Sequence, residues 1–331
     1  MTRQLWPLDP GTYLRHSVHR MDRAWPESNC YVDLWVELLH AAGAEPLAAL
    51  PFTVGVDIEG DQWTFFKFPL ADLSALYGVE VFELNVWRSL VAHIEEQLEQ
   101  GRPAIVEVDS FHLPDTAGTC YHTEHVKTSI GVQAIDADAR RLGYFHNAGY
   151  YELEGTDFAN VFRLEGHLTG SEYLPPYVEV VKLAVRPALT GRALVAASIE
   201  LLGAHLAKGP ARNPFRRYAA RFPSDLEWLA GEPLEQFHRY SFATLRQCGA
   251  AFDLAGAYLH WLRANGEHGL DPSTEACDLI ARTAKALQFS TARVVNGRRR
   301  FDPSPMLETM ADAWDEVREG LTERYGALTP R

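Results

Sequence analysis

In ESNCYVDLWVELLHAAG (residues 27–43), apolar side chains at Val32, Trp35, Leu38, Leu39 and Ala42 recur at the spacing of one helical face. Ser28 or Asn29 can cap the start of that helix and Gly43 its end. The pattern next predicts a strand over WTFFKF (63–68), a short helix in ADLSALYG, and a helix in RSLVAHIEEQLEQG closed by Gly101. PAIVEVD (103–109) reads as a buried strand ending in an acid. HVKTSIGVQAID (125–136) puts Val126, Thr128, Ile130, Val132 and Ala134 on one face, and RLGYFHN (141–147) returns after the polar turn Asp136–Arg140, which makes an antiparallel hairpin. YVEVVKLAV (177–185) is a further strand. Trp63, Phe65, Phe66 and Phe68 read as sheet core.

From Pro187 onward the period changes. TGRALVAASIELLGAHLAKG, PLEQFHRYSFATLRQCGAAFDLAGAYLHWLRANG, STEACDLIARTAKALQFSTARVV and PMLETMADAWDEVREGLTERYG all carry helical spacing, with Trp228, Tyr258 and Trp261 as packing residues. The expected class is α+β, with an α+β domain over 1–186 followed by an α-helical domain over 187–331.

Composition narrows the function. The 331 residues are enough for one large or two ordinary cores. Cys30, Cys120, Cys248 and Cys277 are widely spaced without a CxxC pair, which suits a reducing compartment better than a disulfide framework or zinc ribbon. The N-terminus has no signal-peptide pattern and no apolar run approaches membrane-spanning length, so a cytoplasmic protein is expected. A net charge of −13 argues against sequence-independent nucleic-acid binding. Two local basic clusters remain. One is Arg212, Arg216, Arg217 and Arg221; the other is Arg298, Arg299 and Arg300. No GxGxxG or GxxxxGK[ST] occurs, so nucleotide binding is not indicated.

Cys30 falls in the first turn of its helix, where unpaired N–H groups and the helix dipole stabilise a thiolate. His125 opens a strand and Asn147 closes the next one, so cysteine, histidine and asparagine occur in papain-like order. The thiolate attacks a carbonyl, the imidazole shuttles the proton, and the third group holds the ring in the useful tautomer. His122 competes with His125 for the base. The segment 109–146 is also rich in possible zinc ligands, namely Asp109, His112, Asp115, Cys120, His122, Glu124, His125 and His146, but has no HExxH or paired-Cys spacing. A zinc hydrolase, a cysteine peptidase or amidase, and an inert binding module in which Cys30 and His125 are core residues are the rival classes.

The stretch VEVDSFHLPDTAGTCYHTEHVKTSIGVQAIDADARRLGYFHNAGYY resembles the core of butirosin biosynthesis protein H-type acyltransferases, and NCY at 29–31 matches the early NC of that group. The whole chain more closely resembles a bacterial unknown-function family encoded beside stand-alone amino acid:carrier-protein ligases. The resemblance implies a papain-like core and cysteine-dependent transfer of an aminoacyl or acyl group from a carrier-protein pantetheine thioester to a small nucleophile, without a further cofactor. Carried over, Cys30 is the nucleophile, His125 the base and acid, and Asn147 the orienting group. Asn29, Asp109 and His122 contact substrate. One departure is that the third member in the butirosin group is an Asp followed by Pro, whereas this chain has Asn147 followed by Ala148. Carrier proteins are generally acidic, as this chain is, so docking needs a local basic patch, and the compact run Arg298, Arg299 and Arg300 is the favoured one.

Overall fold

The computed structural model describes residues 2–164, 174–183, 187–297 and 301–327. In chain order its strands are β1 (Arg3–Gln4), β2 (Ile58–Glu59), β3 (Gln62–Trp63), β4 (Glu80–Glu83), β5 (Ala104–Asp109), β6 (Lys127–Asp136), β7 (Arg141–His146), β8 (Gly149–Glu154) and β9 (Val178–Lys182). The α-helices are α1 (Cys30–Ala41), α2 (Leu70–Tyr77), α3 (Leu90–Glu99), α4 (Thr156–Val161), α5 (Gly191–Lys208), α6 (Pro214–Leu229), α7 (Leu234–Ser241), α8 (Gln247–Ala264), α9 (Asp271–Val295) and α10 (Ser304–Tyr325). They form two compact units. One comprises Met1–Ser17, Asn29–Pro46 and Leu70–Ala188, and the other Val18–Ser28, Leu47–Pro69 and Leu189–Arg331.

The first unit is built on an antiparallel sheet in the order β4-β9-β5-β6-β7-β8, with β1 pairing β6 beyond the end of β5. Strands β5 to β8 follow one another as a meander because each connection is short or turn-forming. Arg140 takes a positive φ before β7, and Asn147 does so between β7 and β8. Residues of β5 and β6 alternate between two faces. Ala104, Val106, Val108, Ile130 and Val132 share one apolar core with Leu90, Ile94 and Leu98 of α3 and Phe158 of α4. The opposite face carries α1, whose Leu34 and Leu38 lie directly over Gly131, where a side chain would stand between helix and strand. Asn29 starts α1 by accepting a hydrogen bond from Val32 N at 3.0 Å, as the sequence leads one to expect.

The second unit is helical, and α8 runs through its middle. Nearly every residue from Gln247 to Leu262 is buried, and Gly249, Ala250, Ala251, Ala255 and Gly256 allow close approach by its neighbours. Two segments from the first half of the chain complete this core. Trp25 donates Nε1–H to Ala281 O at 3.0 Å, Arg23 pairs with Asp253, and Ser198 Oγ donates to Ala48 O at 2.7 Å. The two units thus alternate along the chain, and their last change, at Ala188/Leu189, lies close to the boundary expected between residues 186 and 187.

WTFFKF is not a sheet strand. Only Trp63 belongs to the β2–β3 ribbon; Trp63, Phe66 and Phe68 are buried in the helical unit instead, and Phe65, also expected in a sheet core, is exposed. Trp63 packs on Phe215 at 4.7 Å between centroids, and Phe66 and Phe68 pack on Phe52. Aromatic clustering explains the run better than backbone pairing does. A Cβ on Gly249 would lie 2.6 Å from the buried Trp25 ring. Gly249→Ala is therefore expected to lower stability by about 1–3 kcal/mol through overpacking, read from urea midpoints, and an unchanged midpoint would show that Trp25 does not occupy that contact.

Candidate active site

β5 ends at Asp109, which becomes the cap of the short turn Ser110–His112 and accepts from Phe111 N through Oδ1 at 3.0 Å. Its other oxygen, Oδ2, lies 2.6 Å from His125 Nδ1. His125 stands two residues before β6, and Ser110 N donates to Val126 O, so the β5–β6 ladder itself carries the carboxylate to the imidazole. The His125 ring also stacks on Phe111, 4.3 Å between centroids and 10° from parallel. With Nδ1–H donated to Asp109, Nε2 is left as the proton acceptor. The side chain is 70% exposed, so the ring is open to solutes.

Two hollows, of about 390 and 570 Å³, meet at this pair. Tyr177 and the Lys127–Glu107 ion pair line the first. Phe111, Phe162, Leu90 and His112 give the second a more apolar wall. Burial, the largest influence on His112, pulls its pKa down and favours the neutral ring, and its Nδ1 is enclosed without a hydrogen-bond partner among the described residues.

Cys30 is half-buried at the first position of α1. Among the described residues it makes no hydrogen bond to His125 or Asn147. Tyr31 donates to Glu179 Oε2 at 2.8 Å, Glu179 pairs with Ile105, and Ile105 with Gly131, the residue beneath Leu34 and Leu38. Asp109 lies four residues farther along β5, about 13 Å at the usual strand rise. The link between the two levels is Tyr177, which donates to Glu179 Oε1 at 3.0 Å and lines the hollow containing His125.

The remaining expected site residues fall elsewhere. Asn29 is buried and caps α1 rather than facing a cavity. Asn147 is the first residue of the two-residue turn between His146 and Gly149 and has φ +45°. Its side chain makes no hydrogen bond among the described residues, and the orienting place beside His125 is held by Asp109. His122 stacks on Tyr121 at 3.9 Å, with Nε2 3.6 Å from Asp157, and lines neither hollow. His146, beside Asn147, belongs to a separate buried network. Its Nδ1 lies 2.6 Å from Asp115 Oδ2, its Nε2 2.8 Å from Thr128 Oγ1, and Tyr144 donates to Asp115 Oδ1. No group of three or more His, Cys, Asp and Glu arranged to hold a metal ion occurs among the described residues.

The expected docking run, Arg298, Arg299 and Arg300, lies outside the described residues. In the other basic cluster, Arg216 pairs with Asp312 and Asp315, Arg217 with Asp57, and Arg221 with Asp225. Most of that cluster's charge is therefore neutralised within the chain.

The model of the DUF1839 N-terminal domain matches residues 14–183, and that of the DUF1839 C-terminal domain matches 191–323. The chain belongs to the DUF1839 family. No curated protein matches it. Cys30, Asp109, His125 and Asn147 all fall within the N-terminal DUF1839 match, whereas Arg298, Arg299 and Arg300 fall within the C-terminal one. Residues 184–190, near the change of period seen in the sequence, separate the two matches.

The two aspartate–histidine pairs share a 2.6 Å contact and differ in burial. Asp115→Ala leaves His146 and the Tyr144 hydroxyl without their buried partner and should cost about 3–5 kcal/mol. Asp109→Ala, at an exposed pair, should cost about 1 kcal/mol or less. Denaturant titration of both variants checks the contrast, and equal losses would contradict the burial argument.

Proposed function

We propose that the protein is an acyl-transfer enzyme whose general base and acid is His125, held by Asp109. The observation that carries this reading is an imidazole with one nitrogen fixed by a carboxylate and the other directed to open space at the meeting of two hollows. Nε2 takes the proton of an acceptor amine or hydroxyl as that atom attacks a thioester carbonyl. The C–S bond then breaks, and the imidazolium returns its proton to the departing thiolate. Asp109 stabilises the imidazolium and keeps the ring from turning.

The acyl class, the papain-like relationship and delivery on a carrier-protein pantetheine rest on the resemblance carried by NCY and by the stretch from Val106 to Tyr151. The chain itself contributes the base, the apolar wall around Phe111 and Phe162, and the charged wall at Lys127 and Glu107. With Arg216, Arg217 and Arg221 engaged internally, the run Arg298, Arg299 and Arg300 is the proposed meeting place for the acidic carrier, on the ground of its sequence alone.

A second reading keeps Cys30 as the nucleophile, with transfer or hydrolysis through an acyl-cysteine. Its support is the place of Cys30 at the start of α1, where first-turn N–H groups face outward.

The readings separate by mutation in an assay of acyl-pantetheine thioester consumption with an amine acceptor. His125→Ala should lower the rate about 10²- to 10⁴-fold under either reading. Asp109→Asn should lower it too, and Asn147→Gly, which suits the positive φ, should leave it unchanged. Direct transfer expects Cys30→Ala to retain activity and the wild type to gain no acyl mass. Loss of activity in Cys30→Ala together with an acyl adduct on the wild type would establish the cysteine reading instead. Full activity in His125→Ala would overturn both.

A further inference from the structure

The helical unit contains a cavity of about 530 Å³ whose wall includes Asp61, Arg221, Asp225, Trp228, Arg239 and Tyr240. Arg221, Asp225 and Trp228 stand at i, i+4 and i+7 on α6, so one helical face presents a cation, an anion and an indole together. Asp61 comes from the turn of the β2–β3 ribbon, and Arg239 and Tyr240 from the end of α7. The helices here are irregular. Pro223 interrupts α6, and a π-helical turn, Phe242–Arg246, follows α7 and supplies Ala243 and Thr244 to the wall.

Asp225 decides what the cavity can hold. Its side chain is 8% exposed. Oδ2 accepts from Arg221 Nε at 2.9 Å and from the Tyr240 hydroxyl at 3.1 Å, while Oδ1 accepts no hydrogen bond among the described residues. Burial raises the Tyr240 pKa, so the phenol stays a donor. Asp225 Oδ1 is therefore open to accept from a donor that enters the cavity. Trp228 is 49% exposed, contrary to the packing role its sequence suggests, and offers an indole face to a cation. Arg221 uses only Nε on Asp225, and Arg239 uses one terminal nitrogen on Glu235, which leaves guanidinium donors for an anion.

Arg221 is paired with Asp225 and Arg239 with Glu235, and Asp61 adds a further carboxylate, so the unused guanidinium N–H groups and the carboxylate oxygens together offer partners for both charges of a zwitterion. We propose that the cavity binds a free α-amino acid. The ammonium donates to Asp225 Oδ1 and faces Asp61 and the Trp228 ring, and the carboxylate is received by Arg221 and Arg239. The volume lies within the range of small-molecule sites. This site is made only of residues of the helical unit and does not depend on the assignment of His125.

Isothermal titration calorimetry of the full chain with glycine, L-leucine, L-lysine, L-glutamate and L-tryptophan tests it. At least one should bind saturably, and the N-acetyl and the C-terminal amide derivatives of the tightest should each bind about tenfold more weakly or worse. Asp225→Asn should abolish binding. Because that change also touches Arg221 and Tyr240, the exposed changes Trp228→Ala and Arg239→Gln provide a second arm, with expected losses of about threefold to tenfold and an unchanged thermal midpoint. Absence of saturable heat with all five amino acids up to about 10 mM, or affinity unchanged in all three variants, would overturn the proposal.

Discussion

Six pairs, from Ala104 opposite Val132 to Asp109 opposite Lys127, align β5 against β6. This ladder sets the level of everything on the sheet. Its last rungs bring Asp109 to His125, its middle places Gly131 where α1 can lie down, and its even-numbered positions face the α3 core. A slip of one residue would turn Asp109 into the apolar core and Val108 toward solvent. The apolar pattern that holds the sheet together therefore also fixes the geometry of the imidazole.

The same polar pairing serves two ends in one sheet. Asp115, His146, Thr128 and Tyr144 are closed off from water and tie the loop after Pro114 to β6 and β7. Asp109 and His125 keep the same contact at the rim, where solutes reach the ring. A buried network with every member satisfied rigidifies a fold. An exposed pair contributes little stability and retains a proton acceptor, which is the more useful property for chemistry.

Much of this was legible from the sequence. The cap and apolar face of α1, the alternation of β6, and the turn before β7 follow from residue type and spacing alone. β4 escaped because Phe82 and its flanking acids are exposed, and β8 because Tyr151 to Glu154 blend apolar and charged positions. α6 carries an internal proline and a run of arginines, which hide its period. For the site, the order cysteine, histidine, asparagine along the chain was visible, but order does not specify level on a sheet. Asn147 was read as a strand end, while its backbone answers to a tight turn. Asp109 was the informative residue: an acid at the end of one strand meets whatever opens its antiparallel partner.

The alternation of the two compact units along the chain, at residues 17/18, 28/29, 46/47, 69/70 and 188/189, bears on how the molecule is made. Trp25 closes against Ala281, Arg23 against Asp253, and Trp63 against Phe215, partners that leave the ribosome long after these residues do. The sheet unit can form on a nascent chain as soon as β9 has emerged, because its strands are then all present. The early aromatic segments must wait, uncovered, until α6, α8 and α9 are synthesised. During that interval Trp25, Phe52, Trp63, Phe66 and Phe68 are the surface that chaperones would hold. The pace of translation through the C-terminal helices sets how long that exposure lasts.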